Sequence, residues 1–330
     1  MSDYPHVSII ILHWKNLADT RHCLSAVRQL TYPSYDVYVV LNGASREDSI
    51  SIHNLYDQYD NFTIIDEEEN IGFAEGNNVA IRLALKQSNP EYVFALNNDT
   101  EIEPHALDEA VAKAQEGFDE VQLLMMNFEN RSLIDKAGIR IGKSLLPFDI
   151  KELGTESPIV CASAGAALYS SKLLETIAIK RQHASGFANT VEKEYFDSDF
   201  FAYAEDLDLG LRARLAGFDC ALAEKAIVYH KGSASTSTMS DFAIYHTFRN
   251  LIWTYIKNTP RAWMIRFGVF FIIGQLGILY KNFTRGQHKQ ILRAWKDAKR
   301  DKSVMQLKRA YIQKQSSNAL DYSLVDKTLF

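Results

Sequence analysis

Three short stretches of this 330-residue chain concentrate side chains able to do chemistry. The apolar run of YVFALNNDTEIEP (92–104) stops at Asn97, Asn98 and Asp99, then continues through Thr100, Glu101 and Glu103. AEDLDLGLR opens a helical pattern with Glu205, Asp206 and Asp208, and VYHKGSAS ends an apolar run at His230. Asn and Asp at a strand end can simply form a turn or cap the next helix. Carboxylates also favour a first helical turn through the dipole, which accounts well for one acid of EDLD and less well for three. The chemistry that uses all three stretches is displacement of a diphosphate leaving group. A divalent cation held by Asp99, with phosphate oxygens completing its shell, would neutralise the departing charge. His230 would add a nitrogen ligand, which admits manganese beside magnesium. A carboxylate, Glu205 or Asp206, would take the proton of the incoming hydroxyl, and spacing does not choose between the two.

These groups need a scaffold that brings them together. VSIIIL (7–12), DVYVVLN (36–42), NFTIID (61–66) and YVFALN (92–97) read as strands, separated by helical patterns at Asp19–Leu30, Ser45–Tyr59 and Gly76–Gln87. Strands alternating with helices predict an α/β fold, with a parallel sheet covered on both faces. Ligands in such sheets sit beyond the carboxyl ends of the strands. His13, Asn42, Asn70, Asn97 and Asn98 stand at those ends as candidate binding residues. No GxGxxG or P-loop follows the first strand, so neither a dinucleotide site nor an ATPase site has a signature. Further strands are expected at 121–128, within the small-residue run 159–177 and at AIVYH (226–230). The helical pattern 204–218 ends at Gly217 as a C-terminal cap, and a domain boundary is expected in GSASTSTMS (232–240).

Composition is that of a folded chain, 47% hydrophobic with 7 prolines and 16 glycines. Cys23, Cys161 and Cys220 are scattered, which fits a reducing compartment and neither a disulfide framework nor a cysteine zinc site. The N-terminus has no signal-peptide pattern. The net charge of −5 hides an asymmetry: 14 Lys/Arg from Lys257 to Lys314 face only Asp297 and Asp301, so this segment carries +12 and the remainder −17. Within it, FGVFFIIGQLGILY (267–280) is 14 residues long, short of the roughly 20 that span a bilayer. With Arg266 and Lys281 as flanks and Trp253, Tyr255, Trp263 and Trp295 nearby, it reads as a segment lying at an anionic membrane surface. A buried helix and a homodimer contact are the alternatives. No nucleic-acid motif accompanies the charge, so no nucleic-acid partner is expected.

In their order along about residues 5–250, VSIIILHWKN, VYVVLNGAS, NIGFAEGNN, FALNNDTEIEP, SAGAALYSS, YAEDLDLGLRARLAGF and VYHKGSAS resemble family 2 inverting glycosyltransferases with the GT-A fold. The likeness is greatest to the bacterial rhamnosyltransferase-type branch. It implies a GT-A domain over 1–235 and a mostly helical C-terminal region over 236–330. NND resembles that branch's metal motif, which implies Asp99 as ligand with His230 completing the Mn²⁺ or Mg²⁺ site. ED resembles the motif whose second acid is the base, which favours Asp206 with Glu205 beside it. The same resemblance adds Gly72 and Asn77 to the donor side, and Gly165 and Asp208 to the acceptor side. It implies a dTDP- or UDP-sugar donor, with dTDP-rhamnose first, and a glycan or lipid-linked acceptor of cell-surface polysaccharide synthesis. The expected location is the cytoplasm, peripheral at the cytoplasmic face of the inner membrane. Two positions depart from the pattern: Leu41 stands where relatives carry a base-contacting aspartate, and Glu75 where glycine is common. Leu41 motivates a rival reading, a non-catalytic sugar-nucleotide-binding paralogue that acts as an assembly subunit. A third is a membrane-recruited scaffold.

Overall fold

The computed structural model describes residues 4–154, 158–182, 191–232, 239–315 and 320–328. The β-branched runs form strands that alternate with helices: β1 (Val7–His13), α1 (Leu17–Val27), β2 (Tyr35–Asn42), α2 (Arg46–Tyr56), β3 (Phe62–Glu67), α3 (Gly72–Gln87) and β4 (Tyr92–Asn97). β3, β2, β1 and β4 lie side by side in that order, all parallel. Successive side chains of a strand point to opposite faces. Val7, Ile9 and Ile11 therefore join the core under α1 and α2 with Cys23, Leu24 and Ile52. Ile10 and Leu12 join the other, with Ala80, Ile81 and Ala84 of α3. Burial on both faces is why β1 reads as an unbroken apolar run.

Beyond β4 the sheet becomes mixed. β5 (Thr100–Ile102), α4 (Ala106–Gln115), β6 (Glu120–Asn127), β7 (Ile134–Lys136) and a hairpin of β8 (Ile139–Ile141) and β9 (Pro147–Asp149) come next. They are followed by β10 (Ala166–Ser170), α5 (Ser171–Ile177), a β11–β12 hairpin (Ile179–Gln182, Val191–Glu194), α6 (Glu205–Ala216) and β13 (Cys220–His230). β10 runs antiparallel between β4 and β6; β13 is parallel to β6, with β5 antiparallel on its far side. In the small-residue run 159–177 only Ala166–Ser170 is strand. α3 starts four residues before the expected Gly76, because Asn42 Oδ1 accepts from Ile71 N–H and Asn70 Oδ1 from Gly72 N–H, each at 2.9 Å. Gly217 caps α6 in the left-handed region, φ 91°.

Four helices close the chain: α7 (Asp241–Asn258), α8 (Arg261–Phe283), α9 (His288–Arg300) and α10 (Lys302–Gln315). The expected domain boundary falls on residues 233–238, outside those described. The helices after it share a core with the body: Leu251, Tyr255, Trp263 and Phe267 pack with Ile139, Leu146, Leu207 and Leu211. The C-terminal residues then return to the β8–β9 hairpin, where Asp326 N–H donates to Ile141 C=O at 2.8 Å and Arg140 pairs with Asp326 at 3.1 Å. Two readings of this region are corrected. The apolar segment belongs to a 23-residue helix, α8, which by length and composition is long and apolar enough to cross a membrane. Trp253, Tyr255 and Trp263 are core residues, not interfacial aromatics, and Trp263 Nε1–H donates to Leu320 C=O at 3.1 Å.

Candidate active site

β4 ends at Asn97, a two-residue turn carries Asn98 and Asp99, and β5 begins at Thr100. Antiparallel pairing of β5 with β13 sets Thr100 opposite His230. Strand register thus brings Asp99 Oδ1 within 3.4 Å of His230 Nε2. The other ring nitrogen, Nδ1, is 2.7 Å from Asp135 Oδ2. Asp135 was not foreseen, because one aspartate in the loop-rich stretch 128–138 carries no local signal. Burial opposes charge on His230, but the bonds to Asp135 and Asp99 outweigh it and raise the imidazole to about 9. Burial likewise opposes charge on Asp99, and His230 overcomes it, holding the carboxyl below its ordinary value. An oxygen and a nitrogen 3.4 Å apart can bind one cation in adjacent positions once the cation displaces the Nε2 proton, and the Asp135 bond orients the imidazole as metal-ligating histidines require. Among the described residues no cluster of three metal-binding His, Cys, Asp or Glu side chains forms. The described residues therefore offer two ligands here, and they fit a divalent cation whose remaining positions are filled by a ligand of the cavity.

The pair opens onto a cavity of about 640 Å³ lined by Asn42, Asn70, Gly72, Asn97, Asn98, Asp99, Gly165, Glu205, Asp206 and His230 among others. Asn42 is committed to its own wall: Nδ2 donates to Asn70 Oδ1 and Gly72 C=O while Oδ1 holds Ile71 N–H. Gly72 is required by space, since a Cβ there would sit 2.6 Å from Phe201 C=O, at φ 89°. Gly165 keeps the wall open beside Asn97, whose Nδ2 would be 3.3 Å from a Cβ. Trp14, exposed just beyond the end of β1, lines the same cavity. Leu41 points into the core with Val37 and Val39, so a leucine there leaves the cavity wall as it is.

Three expected site residues do not reach the cavity. His13 is fully buried; its Nδ1 meets Thr20 Oγ1 at 2.7 Å, and Thr20 in turn accepts from Asn98 Nδ2 at 2.8 Å, so it supports Asn98 from behind. Asn77 is buried on α3 and donates to Phe73 C=O one turn earlier. Asp208 is buried between Arg212 Nε at 3.0 Å, Lys257 Nζ at 2.8 Å and Asn258 Nδ2 at 2.8 Å. It anchors α6 and does not meet an acceptor.

Asp206 and Glu205 begin α6 after a contorted approach: Phe201, Tyr203 and Ala204 all have positive φ, at 65°, 71° and 63°. Non-glycine residues hold such angles only where surroundings impose them. Here Asn250 of α7 imposes them, its buried Nδ2 donating to the carbonyls of Phe200, Ala202 and Tyr203 at 2.7–2.9 Å. Arg249 Nη2 adds bonds to the carbonyls of Asp199 and Phe200. Burial pushes the Glu205 carboxyl upward and the neighbouring Asp206 charge adds to it. Burial also raises Asp206, while Lys136 pulls the other way. Burial thus opposes charge on both acids of the pair, and Lys136 opposes that shift on each.

The model of the family described as "Glycosyl transferase family 2" matches residues 8–178. The low-salt glycan biosynthesis hexosyltransferase Agl10 of Haloferax volcanii is 24% identical over 250 residues, covering 74% of this chain and 73% of that protein. Among solved structures, the mannosyltransferase PcManGT from Pyrobaculum calidifontis, in complex with GDP-Man and Mn²⁺, superposes with a TM-score of 0.56. Identity is 14%, with 95% of this chain and 86% of that one covered. S. aureus TarS 1-349 with UDP-GlcNAc also gives 0.56, at 16% identity over 94% of this chain and 89% of that one. At these identities the structural likeness is one of fold.

Proposed function

The chain belongs to glycosyl transferase family 2 and is a glycosyltransferase; from that premise we propose that it moves a sugar from a nucleoside diphosphate to a glycan or lipid-linked hydroxyl, with inversion. The observation that carries this reading is that one cavity holds both the Asp99–His230 pair and the Glu205–Asp206 pair. Asp206 takes the acceptor proton, while Asn97, Asn98 and the Asn42–Asn70–Gly72 wall seat the donor. Asp99 and His230 would hold Mn²⁺ or Mg²⁺, whose Lewis acidity would neutralise the departing diphosphate. The neighbours solved with UDP-GlcNAc and with GDP-Man plus Mn²⁺ support a sugar-nucleotide partner and a divalent cation. dTDP-rhamnose is the first donor to try, followed by UDP-sugars. A thermal-shift screen of nucleotide sugars with and without Mn²⁺ tests it, because a ligand of the folded state raises the melting temperature by mass action. No shift from any of them would remove the reading. NMR of the product's anomeric proton decides inversion.

We also propose a place for the enzyme, at an anionic cytoplasmic membrane surface. Ile265, Val269, Ile272, Leu276, Tyr280 and Phe283 follow helical spacing along α8 and are all exposed, Ile265 at 87%. Arg266, Lys281 and Arg285 stand exposed around them. The opposite side is packed: a Cβ on Gly274 would sit 2.8 Å from Ser144 Cβ, and Trp263 and Phe267 are in the core. A helix half covered by its own protein suits lying in a headgroup layer better than crossing it. Ile265→Glu with Ile272→Glu should release the protein from anionic vesicles in flotation and leave donor binding unchanged. Retention of the double variant on the vesicles would refute this placement.

A further inference from the structure

Four rings gather beside the Glu205–Asp206 pair. Phe201 and Tyr203 come from the approach loop, Phe242 and His246 from the first turns of α7. Phe242 packs on His246 with centroids 4.4 Å apart, and it meets Phe201 and Tyr203 edge-on at 6.0 and 6.3 Å. Phe201 and His246 are themselves 5.6 Å apart. The group is uncharged, because burial and the nearby Arg249 hold the His246 imidazole down at about 4. Yet Tyr203 and Phe242 remain 41% and 47% exposed, and both line the cavity with the two acids. Adjacent rings left open on a cavity wall mark a surface that a ligand covers. Tyr203 is held at φ 71°, with its C=O accepting Asn250 Nδ2–H at 2.7 Å, so backbone strain is retained where the ring is displayed.

We propose that Tyr203 and Phe242 form an acceptor platform, on which the neutral sugar ring that carries the attacking hydroxyl rests by its C–H face. This deepens the transfer reading above and rests on it. In an inverting displacement the base and the departing diphosphate lie on opposite sides of the anomeric carbon. A group next to the acids therefore belongs to the acceptor and not to the nucleotide. Tyr203 precedes Glu205 by two residues, and after burial the Glu205 charge is what raises its phenol. The chemistry of the wall selects the class of acceptor. Lys136 is the only Lys or Arg among the described lining residues, and its ammonium lies 3.5 Å from both Asp149 Oδ1 and Ser163 Oγ. An acidic acceptor group would face the carboxylates of Glu205, Asp206 and Asp149 with that one cation among them. A pyranose is neutral, and its ring C–H bonds meet the electron-rich face of an aromatic ring favourably. Its hydroxyls stay at the ring edge, where one can face the acids.

The test is saturation-transfer NMR on the full-length protein with UDP and Mn²⁺ present, using methyl and decyl glycosides of glucose, mannose, galactose and rhamnose. Ring C–H protons of at least one methyl glycoside should receive saturation. Phe242→Ala should weaken that glycoside about 2–10-fold, the worth of one aromatic contact. Tyr203→Asn, which tolerates the left-handed backbone, should do the same, and Tyr203→Phe should retain it. Phe242 is half exposed on a helix, so Phe242→Ala stays readable if a thermal melt shows Tyr203→Asn unfolded. Three results overturn the proposal: no ring signal from any glycoside, a ring signal that both variants keep in full, or a signal confined to the decyl chain, which would make the rings a lipid contact. Calorimetry with UDP and Mn²⁺ separates this from the reading beneath it. If UDP binds wild type and variants alike while no glycoside binds, the platform alone fails. If either variant loses UDP affinity, the rings hold the nucleobase and the platform is refuted. If the wild type binds no UDP but the variants still lose the glycoside, the transfer reading fails and takes the acceptor role with it.

Discussion

The two working ends of the cavity are held by different means. The Asp99–His230 end is held by backbone: β5 and β13 form a ladder, and the two side chains follow from its register. The Glu205–Asp206 end is held by side chains that arrive from elsewhere. Asn250 and Arg249 bind the carbonyls of its strained approach. Lys257 and Lys308 close on Asp197 just before it, and Lys257 also binds Asp208 within α6. A ladder distributes its hold over several bonds, whereas the Glu205–Asp206 end depends on a few buried polar groups. The C-terminal helices are therefore part of how the Glu205–Asp206 pair is aimed.

The largest effect that sharpens this contrast is the loss of the base itself. Positioned acid–base groups contribute ~10²–10⁴-fold in rate. Asp206→Asn is expected to cut turnover by that order and leave donor binding intact; if Glu205→Gln is the more damaging of the two, the roles are exchanged. Next comes the buried ion network. Removing one partner of a buried pair costs about 3–5 kcal/mol because the other charge is left unpaired. Lys257→Met should therefore lower chemical-denaturation stability by that order, and an unchanged midpoint would show that Lys257 anchors nothing. A pH signature accompanies it. Burial opposes charge on Asp197, but Lys257 and Lys308 win and hold its carboxyl far below the usual 3.8. A depressed carboxyl contributes stability above its unfolded value and loses it as pH falls. Wild-type stability should thus decline below about pH 4, and less steeply in Lys257→Met. Smaller again is Asn250→Ala, which leaves the Ala202 and Tyr203 carbonyls of the approach loop without their Asn250 donor, while Phe200 keeps Arg249. Each buried unsatisfied group costs about 1–3 kcal/mol before water replaces it. The expected result is a modest loss of stability with a fall in kcat and little change in donor KM; a wild-type kcat would show that the loop holds its shape unaided.

The same contrast explains what could be read in advance. Asn97, Asn98 and Asp99 announce themselves because an apolar strand stops at polar residues, and Glu205–Asp206 because acids cluster at a helix start. These are local patterns, and the structure gathers both into one cavity. His13 stood at a strand end and Asp208 in the acid cluster, and Asn77 came from the resemblance, yet all three turn into the core, since sequence position does not say which side of a strand or helix faces the cavity. Asp135 and Asn250 lay beyond reach for the opposite reason: each acts on a partner about 50 or more residues away through a contact that only the tertiary fold creates. The tail shows the limit of composition. Its tryptophans and apolar run look alike in the sequence, but Trp253 and Trp263 are core while Ile265 and Ile272 are exposed.

Asp135 gives the smallest expected effect and the cleanest check on the ladder-held end. Its bond to His230 Nδ1 directs Nε2 toward Asp99. Outer partners of metal-binding histidines typically contribute 10–100-fold in metal affinity, or about 1.4–2.7 kcal/mol. Asp135→Ala removes both the acceptor and its charge, so Mn²⁺ affinity measured by calorimetry in the presence of UDP should fall within that range. Asp135→Asn keeps an acceptor oxygen and loses only the charge, so its deficit should be smaller. Because strand pairing of β5 with β13 fixes the backbone, neither variant should shift the unfolding midpoint much, in contrast to Lys257→Met. A large stability loss in Asp135→Ala would mean that this end also depends on its side chains, and the distinction between the two ends would collapse. Unchanged Mn²⁺ affinity in Asp135→Ala would mean instead that His230 needs no help to face Asp99, and that the ladder alone suffices.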